Sequence, residues 1–162
     1  MIVVSDATPI NHLLRAGVIF ILPEMLGSVV IPQAVYAELR TETAPEIVKV
    51  FIDARPNWLT VLTPEFVFDA ELDRLDNGER ETILLAEELG ADLLLIDEIK
   101  GRRVAMKSNL PLIGTLGLLE RASVRGLIEF EDAIAELKAT GFYLSAELES
   151  RFIQRARDRR TG

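Results

Sequence analysis

Continuous apolar runs alternate along this chain with stretches whose apolar residues recur every three or four positions. Ile2-Val3-Val4-Ser5 and Leu93-Leu94-Leu95-Ile96 lack the in–out alternation of a half-wet strand. Runs of that kind and length fit parallel strands covered on both faces. Val29-Val30-Ile31 and Pro111-Leu112-Ile113 are shorter examples, and Trp58 to Leu62 reads as a strand or extended edge. Between these runs the period changes to that of helices. Thr8-Pro9 predicts an N-cap with proline at the first helical position, followed by a face of Ile10, Leu13 and Leu14 that stops at Gly17. An apolar segment, Val18 to Leu26, leads to the second strand. Pro32 then starts a helix from Gln33 to Arg40, with Val35 and Leu39 inward, and another covers Pro45 to Ala54, burying Ile47, Val48 and Phe51.

The second half repeats the alternation. An acidic segment near Val67 to Leu75 precedes a helix from about Gly78 to Leu89, closed by Gly90. A helix through Val104 and Met106 follows the Leu93 strand. Thr115 is read as the cap of a helix ending at Arg125, and helices near Glu131–Ala139 and Ala146–Arg157 close the chain. There is no internal repeat, low-complexity tract or linker. The pattern predicts an α/β fold, a three-layer α/β/α sandwich around a mainly parallel sheet. Residues 143–162 read as a C-terminal helical extension packed on the same domain. Its stripe of Leu144, Leu148, Phe152 and Ala156 suits burial against the domain, or assembly and partner binding.

Composition narrows the chemistry. The 162 residues suffice for one domain with a proper core. No apolar run approaches the roughly 18 to 20 residues of a membrane span, and the N-terminus has no basic flank before an apolar block, so no secretory signal is read there. The absence of cysteine excludes disulfides, iron–sulfur clusters and thiolate zinc, and fits a cytoplasmic location. A net charge of -8 argues against broad, non-specific nucleic-acid binding. The distribution is more telling. Acids crowd Glu65 to Glu98, Lys100, Arg102, Arg103 and Lys107 follow Asp97, and further arginines from Arg151 to Arg160 gather in a tail that reads equally well as a solvated helix face.

Two of the apolar strands end on a carboxylate, Asp6 and Asp97. In open parallel sheets the ligand crevice lies beyond the carboxyl ends of the strands, where strand order reverses. Two anions brought there call for a cation, so a divalent-metal site is the leading idea. Thr8-Pro9 offers a better cap than Asp6, which frees Asp6 for another task. Asp97-Glu98 also suits a helix start, by favouring its dipole. Glu38 falls at the boundary between the inward face of its helix and solvent. Glu79 is contested, because Asp76-Asn77-Gly78-Glu79 reads as a capping box. Glu81, two residues on, is the competing acid, and spacing alone does not choose between them. His12 points away from Ile10, Leu13 and Leu14 and reads as a plain surface residue, and without a second histidine no Ser-His-Asp triad has support. Gly114-Thr115-Leu116-Gly117 lacks the lysine and spacing of a P-loop.

Taken together, Ser5-Asp6-Ala7-Thr8-Pro9-Ile10, Val35-Tyr36-Ala37-Glu38-Leu39, Asp76-Asn77-Gly78-Glu79-Arg80-Glu81-Thr82-Ile83, Leu95-Ile96-Asp97-Glu98 with Gly101-Arg102, and Gly114-Thr115-Leu116-Gly117 resemble the PIN-domain pattern. They look like the branch of small prokaryotic nucleic-acid-binding proteins related to VapC toxins, over residues 1–142. The resemblance implies a PIN-like nuclease domain there and a metal-dependent endoribonuclease, the toxin of a toxin–antitoxin pair, with a small antitoxin as partner and a homodimer as assembly. It also implies a carboxylate quartet of Asp6, Glu38, Glu79 and Asp97 holding Mg²⁺ or Mn²⁺, both of which want hard oxygen ligands. The commoner pattern has Asp where this chain has Glu79, whose extra methylene moves the carboxylate outward. Thr8 and Arg102 are the expected substrate contacts, Thr8 to an acid or the scissile phosphate and Arg102 to a neighbouring phosphate.

Two other classes stay in view. One is a PIN-like nucleic-acid-binding or regulatory module without turnover. The other, an aspartyl-phosphate receiver, is disfavoured because Asp6 is followed by Ala7 rather than a second acid.

Overall fold

The computed structural model describes residues 1–65 and 68–161, so the start of the acidic segment, at Val67, lies outside the described residues. Five short strands, β1 (Val3–Ser5), β2 (Val29–Pro32), β3 (Leu59–Leu62), β4 (Leu93–Leu95) and β5 (Leu112–Ile113), form one sheet in the order β3-β2-β1-β4-β5. Every pairing is parallel, with Val4 beside Val30 on one side and Leu94 on the other. Successive strand side chains point to opposite faces. Val3, Val29, Ile31, Leu93, Leu95 and Ile113 therefore enter one apolar layer, and Val4, Val30, Leu94 and Leu112 the other. That is why β1, β2, β4 and β5 are almost wholly apolar, whereas the edge strand β3 carries an exposed Thr60.

The first layer is covered by α1 (Ala7–Arg15), α2 (Ile21–Leu26), α4 (Glu46–Ala54), α7 (Thr115–Val124), α8 (Phe130–Ala139) and α9 (Ala146–Thr161). The second is covered by α5 (Asn77–Leu89), α6 (Ile99–Lys107) and the 3₁₀ turn Leu72–Arg74. Helix α3 (Gln33–Glu38) packs against α5, with Val35 reaching the first layer. The result is the three-layer α/β/α sandwich with a parallel sheet. Each fully buried Leu or Ile, such as Ile10, Leu13, Ile83 and Leu94, contributes about 1.5–3 kcal/mol by leaving water.

The chain builds β1, β2 and β3 outward in one direction, then returns to lay β4 on the opposite side of β1. The order reverses between β1 and β4, and the carboxyl ends of those two strands frame the crevice. Asp6 and Asp97 both follow it.

Several local expectations need correction. The apolar segment before β2 contains a helix, α2, in which Pro23 occupies the first turn, where its missing N–H costs nothing. Helix α1 begins at Ala7, so Asp6 is its N-cap residue and Thr8 lies inside the first turn. In α4 the buried pair is Val48 and Ile52, whereas Ile47 is exposed and Phe51 only partly covered. Leu144 and Ala156 are buried in the first layer, with Leu148 and Phe152 packed against it, and the Phe152 ring stacks on Phe130 at 6.3 Å. The tail stripe is thus engaged by the chain's own core. The tail arginines pair with acids of α7, α8 and the residue before α8, among them Arg155 with Glu120 at 2.6 Å and Arg157 with Glu131 at 2.7 Å. Exposed pairs of this kind are worth little individually. Among the described residues no helix is long and apolar enough to cross a membrane.

Candidate active site

Asp6 sits where β1 hands over to α1, with extended backbone (φ -75°, ψ 171°) and no capping bond from its side chain. Its N–H donates to the Leu95 carbonyl at 2.9 Å, which ties it to β4 across the reversal point. Glu38 is the last residue of α3. Asp76 is the N-cap of α5, its Oδ1 accepting from the Glu79 N–H at 2.8 Å. These three carboxylates converge on Gly78. A Cβ at that position would lie 3.5 Å from Asp76 Oδ1 and 3.6 Å from both Asp6 Oδ1 and Glu38 Oε1. Gly78 is itself buried in the first turn of α5, and the Thr82 hydroxyl donates to its carbonyl at 2.6 Å. Glycine therefore leaves a methyl-sized gap faced by three acids from three elements.

The electrostatics follow from that crowding. Asp6 is only 3% exposed, and its carboxyl is pushed up to about 7. Burial is the largest cause, opposed by the Ala7 N–H and reinforced by the negative charges of Glu38, Glu79 and Asp76. Burial also raises Glu38, with Asp76 and Glu79 adding to it. Glu79 is raised by burial and by Asp76 and Glu98, while the Asp76 N–H and Lys100 act in the opposite direction. Among the described residues no three acidic or histidine side chains are drawn into metal-ligand spacing.

Asp97 stands apart from this group. Its Oδ1 accepts from the Thr115 N–H at 2.7 Å and its Oδ2 from the Thr115 hydroxyl at 2.6 Å. Thr115 is the first residue of α7, whose N-cap position is held by Gly114. Thr115 therefore does not cap its own helix, as the sequence suggested. It fastens the acid that follows β4, and Asp97 in turn satisfies the N-terminal end of α7. Glu81 is engaged too, its Oε1 accepting from the Ala34 N–H at 3.2 Å. That bond holds the start of the helix that carries Glu38.

A family model described as a PIN domain, DUF3368, matches residues 2–158. The chain belongs to the PIN-domain family. PIN domains are generally nucleases, so its three layers are those of a nuclease fold. Comparison with the curated proteins found no match, and comparison with the solved structures found none either.

Within this PIN domain the sequence-chosen residues fall into two groups. Asp6, Glu38 and Glu79 share one electrostatic neighbourhood, and Asp97 lies across the crevice in contact with α7. Asp76 joins the first group, although sequence reasoning gave it only a cap. A helix that starts at the same sheet edge brings its N-cap side chain there, but which acids that side chain meets is not a local property of the sequence. Thr8 is half-buried in the first turn of α1 and, among the described residues, bonds none of these acids. Arg102 reaches the crevice from α6, its Nη1 donating to the Ile96 carbonyl at 3.4 Å. A Cβ on Gly114 would lie 2.8 Å from both Arg102 Nη1 and Asp97 Oδ1, so only glycine lets the two approach the backbone there. His12 is no plain surface residue. Its Nδ1 pairs with the Thr140 hydroxyl at 2.8 Å and its ring meets Phe142 edge-on at 5.1 Å. Because the Thr140 hydroxyl donates to the Leu137 carbonyl, it accepts from a protonated Nδ1. Burial lowers the pKa of His12, with Asp97 opposing and Arg15 assisting.

Proposed function

We propose that this PIN domain is a metal-dependent endoribonuclease that hydrolyses RNA phosphodiester bonds. The observation carrying the reading is the convergence of Asp6, Glu38 and Asp76 on the gap over Gly78, with Glu79 adding its charge, at the reversal point of the sheet. Buried carboxylates that raise one another's pKa hold their protons or bind a cation. Hard carboxylate oxygens suit Mg²⁺ or Mn²⁺ by their chemistry, and binding would draw these side chains closer than their present spacing. Asp6, Glu38 and Glu79 would hold the ion, with Asp76 beside them and Asp97 at the far lip. When bound, such an ion supplies Lewis-acid polarisation of a phosphodiester oxygen and a more acidic water. Asp6 orients the site through its backbone tie to β4. The Asp76 cap fixes the first turn of α5, and with it the position of Glu79. Arg102, on the opposite wall, receives a neighbouring phosphate. The likeness to VapC relatives extends the proposal to a toxin restrained by a small antitoxin and acting as a homodimer.

The test is cleavage of a panel of single-stranded RNAs with Mn²⁺ or Mg²⁺, comparing the native chain with Asp6→Asn. The reading requires metal-dependent cleavage that the substitution abolishes. One observation favours a second reading, a nucleic-acid-binding module without turnover: both oxygens of Asp97 are already engaged by Thr115. RNA binding with no cleavage across the panel would select it.

A further inference from the structure

A cavity of about 510 Å³ opens beside Asp97, between the start of α6, the edge strand β5, the start of α7 and the segment leading into α9. Its walls are apolar and aromatic, with Ile99, Leu116, Phe142, Tyr143, Leu148 and Phe152 among them, and Asp97 and Arg102 stand at its polar end. Its volume lies within the range of pockets that take small organic ligands, about 300–1,000 Å³. Tyr143 is 86% exposed and Ile99 is 66% exposed, so the rim holds large apolar groups in water. The wall behind them is fixed by the His12–Thr140 bond and the edge-on contact of His12 with Phe142.

We infer that this cavity is a nucleobase subsite, which receives an unpaired base of the RNA next to the phosphate held at the carboxylates. The inference rests on the nuclease reading above and assigns the base, as well as the phosphate, a place to bind. Three observations select a nucleotide as occupant. First, a nucleotide joins a flat apolar ring to an anion, and the cavity joins an aromatic wall to a guanidinium. Second, Arg102 has donors to offer: its side chain's one hydrogen bond among the described residues goes from Nη1 to the Ile96 carbonyl, at 3.4 Å. Asp97 keeps its charge at the same end of the cavity, and Thr115 fixes where that charge lies. Third, the cavity adjoins the carboxyl end of β4, since Asp97, two residues beyond that strand, lines it. Aromatic side chains bind unpaired bases by stacking, whereas a base inside a duplex does not present its face. The cavity therefore makes the protein selective for single strands, loops or bulges.

The test uses short RNA tetranucleotides carrying the fluorescent base 2-aminopurine, single-stranded or locked in a duplex. Binding is read on the Asp6→Asn chain in Mn²⁺, and cleavage on chains with native Asp6. Stacking is expected to quench the single-stranded probe on the parent chain and on Tyr143→Phe, and addition of protein to leave the duplex signal unchanged. Tyr143→Ala is expected to weaken binding about tenfold and to lower kcat/KM on unpaired RNA similarly. At 86% exposure that ring can be removed without unfolding the domain. Cleavage by the native chain with equal binding and rates for Tyr143→Ala overturns the subsite and leaves the nuclease reading intact. Quenching that depends on Tyr143 without any cleavage keeps the subsite and overturns the nuclease. A second copy of the chain or a peptide covering Tyr143, with no quenching of the probe, overturns the subsite as well.

Discussion

Gly78 is the residue at which local and functional demands separate most cleanly. Alanine is favoured over glycine inside a helix by up to about 1 kcal/mol, and a Cβ at position 78 would meet its neighbours at ordinary contact distances of 3.5–3.6 Å. Gly78→Ala should therefore fold as well as the native chain or slightly better. Its methyl group fills the gap between the three carboxylates, so Mn²⁺ affinity should fall at least tenfold. Calorimetric titration beside a thermal melt reads both effects, and native-like Mn²⁺ binding by the alanine variant would refute the placement. Asp6→Asn should show a related dissociation. It removes one of several mutually repelling buried charges, so the metal-free protein should melt higher at pH 8, by about 2–4 °C for each kcal/mol relieved. Cleavage should be lost in the same variant. Asp6 and Asp97 were legible as candidates because an apolar strand ending on an acid is visible in one dimension. Asp76 was not, because a capping residue has a sufficient local explanation and nothing local shows what faces it.

At the scale of elements, the interlock between Asp97 and α7 is the feature to test. Thr115→Val removes one hydroxyl bond to a carboxylate and keeps the N–H bond. Hydrogen bonds to charged groups are worth about 1.5–3 kcal/mol, so urea unfolding should register a loss of that order. If Asp97 also serves the carboxylate site, RNA cleavage by the variant should drop further than its stability explains. An unchanged unfolding midpoint would remove Asp97 from its role in holding α7. The strands, and helices such as α5 and α8, follow from period and punctuation, including the left-handed Gly90 (φ 60°) that ends α5. The errors lay where chain neighbours mislead. Thr8 and Thr115 both looked like caps, yet the true N-cap positions are Asp6 and Gly114. His12 lost its surface reading because its partners, Thr140 and Phe142, lie far away in the chain.

For the whole molecule, the raised carboxyls predict how stability varies with pH. Asp6 moves from 3.8 to about 7 in the fold, and Glu38 and Glu79 move the same way. Between the unfolded and folded values the native state binds more protons than the unfolded chain, so stability falls as pH rises through that window. On account of these groups the metal-free protein should lose stability steadily from about pH 4 to about pH 7, and change little beyond it on account of Asp6. Mn²⁺ should reverse the loss by neutralising the ionised carboxylates, and Asp6→Asn should flatten the curve. Denaturant midpoints across pH with and without Mn²⁺ measure this, and a curve that rises between pH 4 and 7 contradicts it.

What the linear chain determined by itself was the layered architecture, the apolar parallel strands and the two acids that end β1 and β4, because periodicity and strand-end position are properties of neighbours in sequence. The tertiary structure alone decided which acids share a space. It joined Asp6, Glu38, Glu79 and Asp76, turned Asp97 onto Thr115, and set His12 behind an aromatic cavity. Burial and mutual repulsion depend on distances between residues tens of positions apart, and only the packing of helices on the sheet sets those distances.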